Sequence, residues 1–231
     1  MLTTRTNEKE LNVVNVDPLR RFLALDYAES ADLRNSPQQE RSRLSLENIL
    51  RVCGEIIDET GHAGVTTAEV AKRAEMAIGT VYRFFPDRVA LMLGVYDFMT
   101  KRYIEMCIDA LSAAEPTTWQ ETFEVLNDTN VVARRTVPGY RATQYRVLAD
   151  EESQEKYTLR STSYIDAVVA QLAQFDLPSD EAWTSRVAVA VELSRSLQRL
   201  AFDAEPDGDP WLLDEARTVA TTYLETQLAA R

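Results

Sequence analysis

The sequence predicts an all-α protein, and three observations carry that prediction. Glycine and proline are scarce, 7 and 8 in 231 residues, which disfavours tight β-hairpins and glycine-rich nucleotide loops. Helix-capping residues recur just ahead of segments whose apolar residues fall three and four apart. No stretch alternates apolar and polar residues as a half-buried strand does, and no internal repeat is visible. Hydrophobic residues make up 45% of the chain and charged residues 27%, the balance of a packed core rather than of a disordered chain.

The elements follow in order. Asp17 is placed to cap a short helix, with Pro18 in its first turn and Leu19, Phe22, Leu23 and Tyr27 on one face. Residues 35–39 (Asn-Ser-Pro-Gln-Gln) read as a linker. Ser45 is the expected cap of an amphipathic helix carrying Leu46, Ile49, Leu50, Cys53, Ile56 and Ile57, which Gly61 ends and Gly64 helps to turn away. Thr66 and Glu69 form an expected capping box for a short helix with Val70, Ala71 and Ala74 inward. A three-residue turn, Glu75-Met76-Ala77, leads to another short helix from about Ile78 to Phe85, stopped by Pro86.

Asp87 then caps a long helix reaching about Ala114, with Met92, Tyr96, Met99, Tyr103, Met106 and Ala110 as its expected apolar stripe. Thr118 and Glu121 form a second capping box. Pro138-Gly139 breaks that helix, a short one covers Tyr140 to Ala149, and a longer one spans about Glu151 to Phe175. Ser179 is the expected cap of a helix with Trp183, Val187, Ala190, Ser194, Leu197 and Ala201 on one side. Asp209-Pro210 opens the last helix, with Leu212, Ala216, Ala220, Tyr223 and Gln227.

Several function classes are disfavoured. No run of 18 apolar residues spans a membrane, and the polar N-terminus has no apolar signal-peptide core. Two cysteines, Cys53 and Cys107, cannot build a disulfide framework, and each falls on an apolar face as an inert thiol. A cytoplasmic protein is expected. His62 is the single histidine, so no metal site is expected. No acid–base carboxylate pair, GxGxxG, phosphate-loop lysine motif or GxSxG is present. The expectation is no catalytic residue, no cofactor and no enzyme.

The net charge of −12 is unevenly spread. Residues 1–40 carry −2, residues 41–101 are neutral, and residues 102–231 carry −10. A neutral segment holding Arg43, Arg73, Arg83, Arg88 and Lys101 permits a basic face, while an acidic body discourages binding in the wrong orientation.

Two short helices joined by a tight turn behind an amphipathic helix make a helix-turn-helix. The second, residues 78–85 (Ile-Gly-Thr-Val-Tyr-Arg-Phe-Phe), has the composition of a reading helix. Gly79 permits close backbone approach, Thr80 offers a hydroxyl and a methyl, and Tyr82 offers a phenol at phosphate height. Arg83 and Arg88 supply cations, and Val81 and Phe85 anchor the helix inward. Thr66 and Thr67 bring backbone N–H groups for a phosphate, and Ile78 either reads a base or covers the helix start.

Residues 45–91 resemble the DNA-binding domain of TetR-type transcriptional regulators. The likeness rests on Ile49-Leu50, Glu59-x-Gly61, Gly64-x-Thr66-Thr67, Val70-Ala71, Ala74, Gly79-Thr80-Val81-Tyr82-x-x-Phe85 and Leu91. It implies that Thr80 and its neighbours enter the major groove of double-stranded DNA and that Thr67, Tyr82 and Arg88 hold phosphates. The sequence departs where the turn glycine is Glu75 and the usual serine is Ala77, a lost cap of about 1 kcal/mol. Phe84 replaces a polar aromatic residue, and a long N-terminal extension is added, whose Arg41 and Arg43 are placed for the neighbouring minor groove.

The expected organisation is an N-terminal extension at 1–40, a helix-turn-helix domain at 41–90 and a helical ligand-binding and dimerisation domain at 91–231. The resemblance implies a homodimer on a roughly palindromic operator and a small-molecule effector in a helical cavity. Candidate ligand residues are Phe98, Tyr103, Trp119, Phe123, Tyr140, Arg141, Tyr145 and Tyr164. Arg134, Arg135, Arg141 and Arg146 form a basic group that reads either as surface salt bridges with Glu151 and Glu152 or as the source of one arginine that faces the cavity and selects an anionic or carbonyl-bearing ligand. Val189, Leu193, Leu197, Leu212, Tyr223 and Leu224 are the candidate dimer interface, with Ala188, Ala190, Ser194, Ala201, Ala216 and Ala220 allowing close packing. The expected function is a ligand-responsive repressor; the alternative is a helical small-molecule-binding protein without a DNA partner.

Overall fold

The computed structural model describes residues 14–23, 40–143 and 163–230. The fold is all-α, an N-terminal helix-turn-helix unit followed by a larger helical body, with no strand among the described residues. The helices are α1 (Asp17–Leu23), α2 (Glu40–Thr60), α3 (Thr67–Arg73), α4 (Ile78–Phe84) and α5 (Arg88–Ala114). They continue with α6 (Trp119–Thr136), α7 (Tyr140–Thr143), α8 (residues 163–172), α9 (Glu181–Ala204) and α10 (Pro210–Ala229).

Most boundaries follow the expected punctuation. Gly61 closes α2 at φ 70°, Asp87 Oδ1 accepts from the Ala90 N–H at 2.8 Å, and Asp209 caps α10 with Pro210 behind it. The Thr118–Glu121 capping box is complete, and its carboxylate also accepts from the Thr117 N–H at 2.7 Å.

Other expectations need correction. α2 begins at Glu40, so Ser45 lies inside the helix and caps nothing. Asp17 is the first residue of α1, and Asn15 Oδ1 accepts its N–H at 2.9 Å. Asp180, not Ser179, caps α9, because the longer Asp180 acceptor reaches the Trp183 N–H at 2.8 Å. The Thr66 box is half formed. Thr66 accepts from the Glu69 N–H, but the Glu69 carboxylate turns to Arg73 at 2.8 Å, a charge-assisted bond that outcompetes a neutral N–H. The stripe expected on α5 is too narrow: Leu91, Val95, Ile104, Cys107 and Leu111 are buried along with Met99 and Tyr103, while Met92, Tyr96, Met106 and Ala110 are half-buried. A central helix is covered on several sides, so one period does not describe it. The linker at 35–39, Tyr27, and the helical stretches expected at 144–149 and 151–162 lie outside the described residues.

One continuous apolar core runs through both units. In the head, Val70, Ala71, Val81, Phe84 and Phe85 close on Ile49, Cys53 and Ile56 of α2. In the body, α9 lies along α10, and α6 packs on α5 and α10. The Arg217 guanidinium on α10 meets Asp128 on α6 at 2.7 Å, and Arg186 on α9 reaches Gln227 on α10 at 3.0 Å. The N-terminal helix belongs to this body. α1 packs on α5, and Asn15 exchanges hydrogen bonds with Gln171 and Gln174 at 2.8 and 3.0 Å.

Head and body meet where two glycines touch. Gly139 follows Pro138 at φ 79°, a left-handed conformation that favours glycine, and a Cβ there would lie 2.6 Å from Gly54 Cα on α2. The Gly139 N–H donates to Asp58 Oδ2 on α2 at 2.7 Å. Burial holds the Asp58 carboxyl above its ordinary value, opposed by that hydrogen bond and by the Arg141 charge.

Candidate nucleic-acid interface and interior cavity

α4 is amphipathic over two turns. Val81 and Phe84 point into the head, and Phe85 follows them at its end. The opposite side is wet: Ile78 is 46% and Tyr82 40% exposed, Gly79 and Arg83 are exposed, and Thr80 is half-buried. No Cβ contact crowds Gly79, so a flat surface can approach the backbone there. Tyr82 is steadied from α3, where the Thr67 hydroxyl donates to the phenol oxygen at 3.1 Å. Thr66 is exposed, and its Oγ1 serves as the α3 cap. The Arg83 guanidinium lies 5.1 Å from the Phe84 ring centroid.

Two cations do structural work besides any contact with a partner. Arg88 donates to the carbonyls of Val65 at 3.0 Å and His62 at 2.6 Å, pinning the α2–α3 loop to the start of α5. Burial, and after it that charge, hold the His62 imidazole below its ordinary value. Arg43 pairs with Glu47 one turn along α2, at 2.5 Å. The turn between α3 and α4 is a Schellman closure: the Met76 N–H reaches the Ala71 carbonyl and the Glu75 N–H the Lys72 carbonyl, at 2.9 and 3.2 Å. Glu75 occupies its left-handed position at φ 55°. Ala77 precedes α4 with no side-chain cap.

The body holds a small, partly open cavity of about 20 Å³, room for roughly one water molecule. Its apolar walls are Phe123 and Leu126 of α6, Val168 of α8 and Val191 of α9. Tyr103 of α5, Asn127 and Asn130 of α6, Tyr164 of α8 and Arg195 of α9 supply its polar lining. The Tyr103 hydroxyl donates to the Leu126 carbonyl at 3.1 Å and lies 3.0 Å from the Tyr164 hydroxyl. Tyr140 stacks on Tyr103 with centroids 5.6 Å apart, and the Asn130 amide donates to its oxygen at 2.8 Å. Phe22 of α1 meets Tyr164 edge-on, with centroids 6.3 Å apart. Burial drives the Tyr103, Tyr140 and Tyr164 hydroxyls upward, so all three are neutral at physiological pH.

Of the aromatic candidates, Tyr103, Phe123 and Tyr164 line this cavity and Tyr140 stands directly behind it. Trp119 is buried and Phe98 half-buried in the core, and neither lines it; Tyr145 lies outside the described residues. Arg134, Arg135 and Arg141 do not line the cavity. Arg141 donates to the carbonyls of Arg134 and Pro206 at 2.7 and 2.6 Å, and its guanidinium sits 4.6 Å from the Phe202 centroid. Arg135 binds the Asp207 carbonyl at 2.9 Å, and the buried Arg134 donates to Asn130 at 3.0 Å. Carbonyls at the α9–α10 turn draw Arg135 and Arg141 away from the interior. Arg146 lies outside the described residues. Among the described residues, Arg195 is the arginine in the wall, and the sequence carried a signal for it: Val187, Val191 and Arg195 follow at spacings of four on a helix whose neighbouring face is apolar.

On the outer face of α9, Val189 is 44% and Leu193 36% exposed, and Leu200, unmarked in the sequence reading, is also exposed. Leu197, Leu212 and Tyr223 are half-buried. Leu224 is wholly buried within the chain and leaves no surface for a partner. The small residues Ala190, Ser194, Ala201, Ala216 and Ala220 are likewise buried, because they face their own chain's core rather than solvent. Trp211, at the start of α10, is 67% exposed.

Both cysteines are buried, and burial pushes each thiol up to about 12. Among the described residues, no three His, Cys, Asp or Glu side chains are grouped to hold a metal ion, and no helix is long and apolar enough to cross a membrane.

Comparison with known proteins agrees with this geometry. Residues 49–95 match the family described as bacterial regulatory proteins, tetR family, and residues 117–228 match the tetracyclin repressor-like C-terminal domain. The HTH-type transcriptional repressor KstR of Mycobacterium tuberculosis is 24% identical over 198 residues, covering 78% of this chain and 87% of that one. KstR of Rhodococcus jostii is 36% identical over 62 residues, 27% of either chain. The crystal structure of a TetR-family transcriptional regulator from Streptomyces coelicolor superposes with a TM-score of 0.66 and 28% identity, covering 80% of this chain and 98% of that one. A reading-helix head and a helical body, matched separately and in the same order along one chain, are what these relatives share: the chain belongs to the TetR family of transcriptional regulators.

Proposed function

We propose that this regulator is a repressor: a homodimer that holds a roughly palindromic operator through α4 and lets go when a small molecule enters the body. The observation that carries the reading is the wet side of α4, where Tyr82, braced by Thr67, stands beside Thr80 and Gly79. Ile78 and Thr80 face base edges, while Thr66, Thr67, Tyr82, Arg83 and Arg88 meet phosphates. Arg43 is placed at the edge of that footprint. The naming of KstR as a repressor supports the sign of regulation.

Residues 41–90 act as the head and 91–231 as the effector and dimer domain, with α5 running through the boundary. The exposed apolar positions on α9 support pairing through that face, which sets two copies of α4 about one DNA turn (~34–36 Å) or somewhat more apart. The ligand acts by favouring the state in which the heads no longer fit successive grooves.

A gel shift with DNA flanking its own gene tests the first step. The double variant Thr80→Ala, Tyr82→Ala is expected to lose specific binding by about tenfold or more while remaining dimeric. Unchanged affinity in that variant refutes the assigned surface. The slope of log affinity against log salt counts the phosphates engaged.

A further inference from the structure

We propose that the effector carries a carboxylate, and that Arg195 is the residue that selects it. The proposal rests on the reading that this body binds a small molecule and names its chemical class. Four observations converge.

The first is charge. Among the described residues, Arg195 is the single cation that lines the cavity, and none of those lining it is a carboxylate. Its side chain keeps 19% of its exposure, and its ion-pair partner Glu192 lies 3.5 Å away with a side chain that is 65% exposed. A largely hydrated carboxylate neutralises such a guanidinium weakly. The three tyrosines around it are neutral and offer no counter-charge.

The second is hydrogen bonding. Asn127 Oδ1 accepts from Ser194 at 2.5 Å and from Gln198 at 3.4 Å, which fixes the orientation of the amide. Its Nδ2 is buried and has no partner. Guanidinium and amide N–H groups are both donors, and an acceptor with two oxygens satisfies them together.

The third is placement. The Arg195 guanidinium carbon lies 4.8 Å from the Tyr164 centroid, so the ring orients it from one face. The fourth is size. About 20 Å³ beside the apolar side chains of Phe123, Leu126, Val168 and Val191 suits one small head group with an apolar body behind it. A lone cation in such walls fits a monoanion better than a doubly charged phosphate.

Acetate is the minimal probe, since it is the smallest carboxylate that carries an apolar group; acetamide is its neutral counterpart, and sodium chloride at equal ionic strength is the control. Thermal unfolding of the full-length dimer should show a midpoint raised by high-millimolar acetate and unmoved by acetamide. Hexanoate and hexanamide extend the comparison to a ligand with an apolar tail, and the amide should bind at least about tenfold more weakly. Arg195→Met should abolish the preference for the acid, and Arg195→Lys should keep part of it.

Because substitutions at a buried site can unfold the protein, a titration of the wild type by ¹⁵N NMR provides the second readout. The Arg195 Nε–Hε resonance should move with acetate and stay still with acetamide. Equal responses to acid and amide, no response to either acid, a stronger response to inorganic phosphate, or a preference that survives in Arg195→Met each overturn the proposal. Operator release is measured separately. Acid-selective binding that leaves the operator occupied upholds the site and removes the ligand-responsive reading; release by neutral compounds alone does the reverse.

Discussion

Glu75 holds the left-handed position that closes α3, where a side chain with a Cβ is strained and glycine is not. Glu75→Gly should therefore stabilise the protein by about 1 kcal/mol, seen as a higher urea midpoint at an unchanged slope. It should also tighten operator binding, because it removes a negative charge at the turn before α4; a destabilised variant overturns the account. The position was legible because the resemblance marks a turn glycine there and the sequence offers glutamate. Arg195 was not singled out. The arginines at 134, 135 and 141 are the conspicuous cluster, and nothing in their sequence reveals that backbone carbonyls at the α9–α10 turn claim Arg135 and Arg141. Carbonyl acceptors carry no side-chain signature, so the competition is invisible before the chain folds.

Gly54 shows how an element's context reverses a local preference. It lies inside α2, where glycine normally costs up to about 1 kcal/mol against alanine. Here a Cβ would stand 2.5 Å from the Pro138 carbonyl oxygen and 2.7 Å from Met99. Gly54→Ala should thus destabilise by about 1–3 kcal/mol, measured by chemical denaturation, instead of stabilising. A gain in stability means that the turn is not seated on α2 in solution. The helices themselves were readable, because Asp87, Thr118 and Asp209 announce their starts and Gly61 an end. The cap of α9 slipped by one residue, from Ser179 to Asp180, where both residue types are good acceptors, whereas α2 starts five residues ahead of Ser45. The docking of α1 against α5 and α8 was not readable, since a helix of seven residues gives no sign of which distant surface it will cover.

For the whole molecule, the proposed dimer rests on the exposed apolar positions of α9. Val189→Glu with Leu193→Glu should give monomers, halving the mass from light scattering, with operator affinity falling as the second reading helix is lost. A dimer that persists places the contact elsewhere. Leu224 illustrates the limit of periodicity: α10 shows apolar residues on more than one side, and sequence does not say which side meets its own chain. The narrow void beside Arg195 has a last consequence. On the proposed reading, an effector that outgrows this void draws on molecules whose helices have parted, and its apparent affinity is its intrinsic affinity scaled down by that fraction. In that proposal, sensitivity to an inducer is tuned by how readily the bundle breathes at Leu126 and Val191, and responses of very different strength can evolve while the recognised chemical group stays the same.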